Sequence, residues 1–337
     1  MNPKVAIIPV LLLFASKANS QDPDLFFATR AASLIDPSRT GAAAGTQLSF
    51  IDRTQWLRLD RPFRTQLLAL EHGSRGRSEH SLRPGFGLFL LNDKAGPLGY
   101  RRTAIAPRSA IHLPVSANGT LSFGMSAELD QWILGDVQGQ WASQYDGGQY
   151  DPGIAAGENF QAGTMTTLGL GTGLSYSAMT EAGPQKRSRT PWLVIGASAA
   201  RLAQIQLGSS ANGLAMPTVR YSAHAAVSAP VASRLFERIF FESVYHRMEP
   251  HTTLRVNLAV GNPPFQGARI SDRTRSVGYR FGIGYRYRDA ILVNASLELL
   301  GLSVGLAYGW APYTEDRLVA GARTAELFLQ YRFNGRR

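Results

Sequence analysis

Alternation of apolar and polar side chains is the feature that most constrains the fold of this chain. Between Val277 and Arg288, apolar and aromatic residues occupy every second position, and glycine or arginine fills the positions between them. Successive side chains of a β-strand point to opposite faces, so a period of two predicts a strand with one apolar face and one small or cationic face. Further segments with this period are 119–131, 252–261, 290–300, 303–310 and 323–333.

Fourteen segments are predicted to be strands. They are approximately 46–56, 64–72, 84–92, 100–112, 119–131, 162–178, 191–200, 217–229, 238–247, 252–261, 276–288, 290–300, 303–310 and 323–333. The predicted loops between them include 132–161, the longest, and 201–216. An even number of strands is typical of bacterial single-chain barrels. We therefore predict an all-β fold, a single-chain antiparallel transmembrane β-barrel of about 14 strands that spans 46–337 and lies in the cell outer membrane.

A soluble β-sandwich is the alternative, because its strands alternate as well. The polar face of a sandwich meets water and carries mainly Lys and Glu, whereas here that face is mostly Gly, Ser, Asn, Thr and Arg. Charged residues make up only 18% of the chain, against about 25% in soluble domains. Tyr and Trp cluster at the predicted strand ends, as they do at membrane interfaces. These features favour the barrel.

The first 20 residues have the pattern of a secretory signal peptide. Lys4 precedes an apolar run over 5–15, and small residues around 18–20 form a cleavage site. The run is too short for a spanning helix, and no later stretch contains 18 apolar residues. We expect the mature chain to start at Gln21 and the segment 21–45 to lie in the lumen or at the periplasmic mouth.

The sequence contains no pattern that predicts catalysis. It has no cysteine, and its six histidines are scattered. Ser243 and His246 form the nearest serine–histidine pair, but they fall on opposite strand faces. No nucleotide-binding, zinc-protease or nucleic-acid motif is present. We therefore predict a protein that is not an enzyme, with no cofactor, no metal site and no nucleic-acid partner.

Five arginines are predicted to point into the lumen. They are Arg255, Arg280, Arg286, Arg288 and Arg332. Because buried charges need partners, the first interpretation is a network with the lumenal acids. These acids are Glu128, Asp130, Glu242, Glu298 and Glu326. The net charge of +11 leaves arginine in excess, so a lumen that holds an acidic peptide or selects anions remains an alternative, as do contacts with anionic lipid headgroups.

Two further positions are candidate partner contacts. Trp56 follows the first predicted strand, where an indole suits the membrane interface. Asn92, Asp93 and Gly96 are typical of a turn, since Asn and Asp bond nearby amides and Gly accepts a positive φ. A docking turn or cation-binding turn is the alternative to a plain turn.

Several motifs in order along the chain resemble those of one family. They are Gln21-Asp22-Pro23, 35–41, Asp52-Arg53-Thr54-Gln55-Trp56, 62–65, 85–96, 281–290 and 325–333. Together they resemble the PorP/SprF family of type IX secretion system membrane proteins. Asp36, Ser38, Asp52 and Thr54 depart from the family's usual residues at those positions.

The resemblance implies an outer-membrane barrel that belongs to the secretion and gliding apparatus of Bacteroidota. Its implied partners are outer-membrane lipid and either periplasmic ring components of that machine or a large secreted adhesin. A porin-like channel for small solutes is the main alternative, and an outer-membrane lipid hydrolase is a third.

Overall fold

The computed structural model describes most of the chain. The described residues are 22, 24–58, 61–76, 81–95, 99–135, 144–146, 149–154, 162–179, 192–209, 216–231, 233, 235–262, 277–311 and 323–333. The predicted signal peptide and the candidate residue Gly96 lie outside them. Within these residues, no helix is long and apolar enough to cross a membrane.

Sixteen strands form in the described residues, and all pairings are antiparallel. They are β1 (Gly45–Gln55), β2 (Phe63–Gly73), β3 (Arg83–Ala95), β4 (Tyr100–Ser116), β5 (Gly119–Leu134), β6 (Tyr145–Asp146), β7 (Gln149–Tyr150), β8 (Gly163–Met179), β9 (Trp192–Ser209), β10 (Arg220–Pro230), β11 (Arg238–Met248), β12 (His251–Asn262), β13 (Gly278–Arg286), β14 (Ala290–Leu299), β15 (Leu302–Trp310) and β16 (Arg323–Phe333). Strands β6 and β7 pair only with each other, inside the loop predicted at 132–161.

The other fourteen strands close into a barrel, as predicted. Each pairs with its neighbours along the chain, β5 pairs with β8, and β1 completes the ring by pairing with β16. Closure leaves no sheet edge with unpaired backbone groups, which lipid could not satisfy. We call the end where β1 begins and β16 ends the proximal mouth. The other end, with the turns that follow β1, β11 and β13, is the distal mouth.

The period-two pattern separates a lipid-facing wall from the lumen. In β2, Thr65, Leu67, Ala69 and Glu71 are buried inside the barrel, whereas Leu68 and Leu70, which alternate with them, are exposed on its outer wall. Exposed large apolar side chains recur on the barrel strands all round the ring. A soluble sandwich would bury such residues, so the exposed apolar wall and the closed ring together identify a membrane barrel.

The lumen is filled by the segment that precedes β1. Asp22 and residues 24–44, which we call the plug, carry three short 3-10 helices at Phe26–Thr29, Ala32–Leu34 and Pro37–Arg39. The hydrophobic core lies between the plug and the inner wall, and Phe26 and Phe27 pack there with Ile51 and Phe328. Burying one such aromatic side chain contributes about 1.5–3 kcal/mol.

Three local predictions were wrong. Residues 201–209 were predicted to be a loop, but they extend β9. The prediction failed because the register shifts between Leu170 and Thr172, and Arg201, with a φ of +60°, interrupts the alternation of side chains. Asn92 and Asp93 were placed in a turn but lie in β3, whose pairing with β4 continues to Ala95. Arg288 was placed in the lumen but lies in the exposed turn after β13, at a φ of +56°.

Candidate functional site

The distal half of the lumen holds the start of the plug in a cage of arginines. Asp22 Oδ1 accepts a hydrogen bond from Arg102 Nη1 at 2.6 Å. Its Oδ2 accepts from Arg201 Nη2 at 2.5 Å and from Arg220 Nη1 at 2.6 Å. Burial alone would raise the pKa of Asp22, but the three guanidinium groups outweigh it and hold this pKa well below its usual range. The carboxylate is therefore charged and fully paired.

Wall groups also contact two of the three arginines of the cage. Arg102 also donates to Glu128 and to Asp130, at 2.6 Å in each case, and its guanidinium lies 4.5 Å from the centroid of the Trp132 ring. Arg201 Nη1 lies 3.4 Å from Glu128 as well. Because wall groups also hold Arg102 and Arg201, these two guanidinium groups are pre-organised to receive one further carboxylate.

A second carboxylate of the plug binds the opposite side of the lumen. Asp24 lies 2.8 Å from Arg255 Nη1 and 3.5 Å from Arg286 Nη1. Arg255 Nη1 also donates to the carbonyl oxygen of Leu25 at 2.6 Å. The sequence predicted that Arg255 and Arg286 face the lumen, and the structure brings them together at this aspartate.

The two phenylalanines after Asp24 are held by one wall carboxylate. Glu326 accepts hydrogen bonds from the backbone amides of Phe26 at 2.8 Å and of Phe27 at 2.6 Å. The Phe27 ring stacks on Phe328 with centroids 5.2 Å apart. Glu326 thus satisfies amides at the start of a 3-10 helix that has no side-chain cap of its own.

At the proximal end, the plug binds through a buried aspartate and a backbone carbonyl. Asp36 is fully buried, accepts from the Ser38 amide at 2.8 Å and contacts His224 Nε2 at 2.9 Å. The carbonyl oxygen of Thr40 lies 2.9 Å from His112 Nε2. Asp36 and Ser38 are two of the family departures noted in the sequence, and both are in contact with the wall here.

Glycines in the wall let the plug approach the strands. A Cβ at Gly124 would overlap the backbone of Pro37 and Ser38, and a Cβ at Gly173 would overlap Asp36. The sequence pattern placed glycines on the lumenal face but gave no indication of which ones contact the plug.

Replacing Gly124 by valine is therefore expected to displace the proximal part of the plug. Forcing extra methyl groups into a packed interior costs about 1–3 kcal/mol. The measurement is limited proteolysis of the refolded protein, in which the plug should become cleavable while the barrel stays resistant. Gly208→Val is the matched control, because nothing lies within 4 Å of a Cβ at Gly208. Equal protection of the plug in both variants would contradict the role of Gly124.

The other predicted lumen arginines differ in burial. Arg280 pairs with Glu242 at 2.8 Å and lies over the Phe240 ring at 3.6 Å, inside the barrel. Arg332 is at the proximal mouth, with a side chain 46% exposed and 3.9 Å from Glu298. All five acids that were predicted to pair with lumen arginines have an arginine partner. Several of these partner arginines were not among those predicted from the sequence. The missed ones are Arg53, Arg102 and Arg201.

Trp56, Asn92 and Asp93, the remaining candidates, form no hydrogen bond or ion pair with the plug aspartates or their arginines. Trp56 follows β1 at the distal mouth and packs on Phe63, with ring centroids 4.4 Å apart. Asp93 points inward and accepts a hydrogen bond from Thr65 Oγ1 at 2.5 Å, whereas Asn92, its neighbour in β3, belongs to the outer face. No cluster of metal-ligating side chains occurs in the described residues.

Ser243 and His246 do not contact each other. His246 points into the lumen, where its Nδ1 lies 2.8 Å from Ser222 Oγ rather than near Ser243. His246 lines an internal cavity of about 70 Å³ between the plug and the wall, together with Asp24 and Arg220. A space of this size holds a few water molecules and no lipid substrate.

A family model decides the identity of this plugged barrel. The model for the type IX secretion system membrane protein PorP/SprF matches residues 18–331. The chain belongs to the PorP/SprF family. The match spans the plug and nearly the whole barrel, so this PorP/SprF protein is an outer-membrane barrel from a family of membrane proteins of the type IX secretion system.

Solved outer-membrane barrels are similar to this PorP/SprF protein at low identity. The toluene transporter TbuX of Ralstonia pickettii is 11% identical, with 90% of this chain and 94% of that chain covered and a TM-score of 0.47. The translocator domain of the autotransporter NalP from Neisseria meningitidis is 10% identical, with 91% and 95% covered and a TM-score of 0.46. No curated protein matches the chain.

Proposed function

We propose that this protein is a non-enzymatic barrel component of the type IX secretion and gliding machinery. It acts by binding periplasmic subunits of the machine or a large secreted surface adhesin. The observation that carries this proposal is the plug, because a lumen filled by the chain's own residues offers no path for a solute or a folded cargo. The protein then contributes through the surfaces at its two mouths and along its wall.

The contacts of the plug support a permanent rather than a transient closure. The three aspartates of the plug and the amides of Phe26 and Phe27 all have partners on the wall, and these partners lie on six strands, β4, β9, β10, β12, β13 and β16. Removing one partner of a buried ion pair leaves an uncompensated buried charge and costs about 3–5 kcal/mol, so withdrawing the plug from these arginines is unfavourable. A component with a fixed shape suits a docking role.

Deleting the gene tests the proposal. We expect one large surface adhesin, or a wider set of secreted proteins, to disappear from the surface and secreted proteomes, and the intact gene to restore it. Purification of the native protein in mild detergent should recover the same adhesin or periplasmic subunits. Unchanged surface and secreted proteomes in the deletion strain would reject the proposal.

A porin-like channel is the second candidate, favoured by the many arginines on the inner wall. Single-channel recording in planar bilayers separates the two candidates. We expect the intact chain to give no conductance steps, because the plug fills the lumen. Regular steps from the intact chain would favour the channel.

A further inference from the structure

The outer wall carries an unbroken row of polar side chains near the distal mouth. Six outward-facing residues on six successive barrel strands are directly opposite one another in the register. They are Asp52, Gln66, Asn92, Thr103, Gln131 and Thr166. Side chains directly opposite on one face have Cβ atoms about 4.5–5.5 Å apart, so the row is a continuous strip of amide, hydroxyl and carboxylate groups.

On the proximal side, the polar row borders an apolar one. Phe50, Leu68, Leu90, Ile105 and Leu129 are also directly opposite one another. All members of the two rows except Asp52 line an open groove of about 610 Å³ on the outside of the barrel. The groove therefore has an apolar floor facing the membrane and a polar edge facing the distal mouth.

On the distal side, the polar row borders three cations. Arg64 is directly opposite Lys94, and Lys94 is directly opposite Arg101. Like charges in such positions destabilise a sheet unless an anion lies between them. Asp52 neutralises Arg64 at 2.6 Å, but Lys94 and Arg101 are exposed and make no ion pair with any described residue. The two cations thus leave an unmatched positive site.

The three rows lie where the wall leaves the membrane. The indole of Trp56, packed on Phe63, lies at the end of the same strands and suits the interface. Elsewhere round the distal mouth, the outer face shows a different pattern. Trp310 ends β15, and Arg247 near the end of β11 is paired with Glu249 at 2.8 Å. The groove, the polar row, Lys94 and Arg101 lie together in this sector.

We propose that this sector of the wall binds a phosphorylated glycolipid of the surrounding membrane leaflet. The acyl chains lie on the apolar row, where they meet leucine and phenylalanine side chains. The sugar hydroxyls bond to the neutral amide and hydroxyl groups of the polar row, which donate and accept without charge. A phosphate lies between Lys94 and Arg101 and removes their mutual repulsion. A simple anionic lipid would use the cations alone and leave most of the polar row unbound.

Binding of lipid A to the purified full-length protein tests the site. The probe is a phosphatidylcholine vesicle that contains lipid A, and native mass spectrometry or a fluorescent lipid reports occupancy. The double variant Lys94→Gln/Arg101→Gln should bind lipid A at least about tenfold more weakly, since it loses two charge-assisted contacts. Arg247→Gln is the matched control, because it also removes one exposed distal cation and should leave binding unchanged.

A second variant separates sugar recognition from charge. Asn92→Leu/Gln131→Leu keeps both cations and should weaken the binding of lipid A while leaving the binding of phosphatidylglycerol unchanged. Dephosphorylated lipid A should bind more weakly than lipid A. Equal binding of phosphatidylglycerol and lipid A, or equal loss in the Arg247→Gln control, would overturn the proposal.

Discussion

A chain that lacks residues 22–44 is expected to conduct ions through the lumen. Barrels of about eight strands are filled by their own side chains, but wider barrels leave an aqueous interior. The fourteen-stranded ring here is filled by the plug, and removing it exposes an inner wall lined with Arg102, Arg255 and other arginines. The measurement is single-channel recording in planar bilayers, in which discrete steps should appear, with preference for anions.

The intact chain, which should show no steps, is the reference for that experiment. The truncated barrel must first be shown to fold, for example by its resistance to protease and to unfolding in detergent. If truncation prevents folding, Gly124→Val/Asp22→Asn gives a second test, since it displaces the plug at Pro37 and Ser38 and weakens its distal contacts with the arginines. If a folded barrel without its plug still gave no conductance steps, the plug would not be the element that closes the lumen.

Replacing Asp22 by asparagine is expected to have the largest effect of any single substitution in the plug. It removes the charge that pairs with Arg102, Arg201 and Arg220. Arg102 and Arg201 keep Glu128, but Arg220 loses the carboxylate with which it pairs. Such a loss costs about 3–5 kcal/mol, which lowers the ratio of docked to undocked plug by about two to four powers of ten. Hydrogen exchange of the plug amides should accelerate accordingly.

Acid provides an independent test of the same ion pairs. The pKa of Asp22 is lower in the docked plug than in a free chain, so protonation favours release. Its contribution to docking is complete above the ordinary aspartate pKa of about 3.9 and falls as the pH drops below that value.

Asp151→Asn is the control variant for Asp22→Asn, because Asp151 lies in an exposed loop and its side chain bonds only locally to the Gly153 amide. Equal exchange in the Asp22 and Asp151 variants would contradict the cage.

The strands were predictable because lipid on one side and a packed lumen on the other impose a strict period of two. The prediction was wrong where another physical requirement interrupts that period. At Arg201 the chain takes a positive φ and shifts register, so the alternation breaks although β9 continues. At Asn92 and Asp93, residues that favour turns are instead held by pairing with β4.

The candidate site was only partly predictable. The lumenal face of Arg255 and Arg286 followed from strand period, and the net charge of +11 indicated that arginine exceeds the acids. The partners Asp22 and Asp24 could not be derived, because the plug has short 3-10 helices and no periodic pattern. Contacts between residues almost 200 positions apart, such as Asp22 with Arg220, depend on how the ring closes.

The short connection between the plug and the barrel has a consequence for competition. Only residues 42–44 separate the buried Gly41 from the start of β1. A tethered ligand on so short a linker acts at an effective concentration in the millimolar range or above. Asp22 and Asp24 share this advantage while the rest of the plug stays docked, and an acidic segment from another protein would have to exceed that concentration to displace them from their arginines. An acidic segment in solution at ordinary cellular levels is therefore expected to be kept out of the lumen by the chain's own plug.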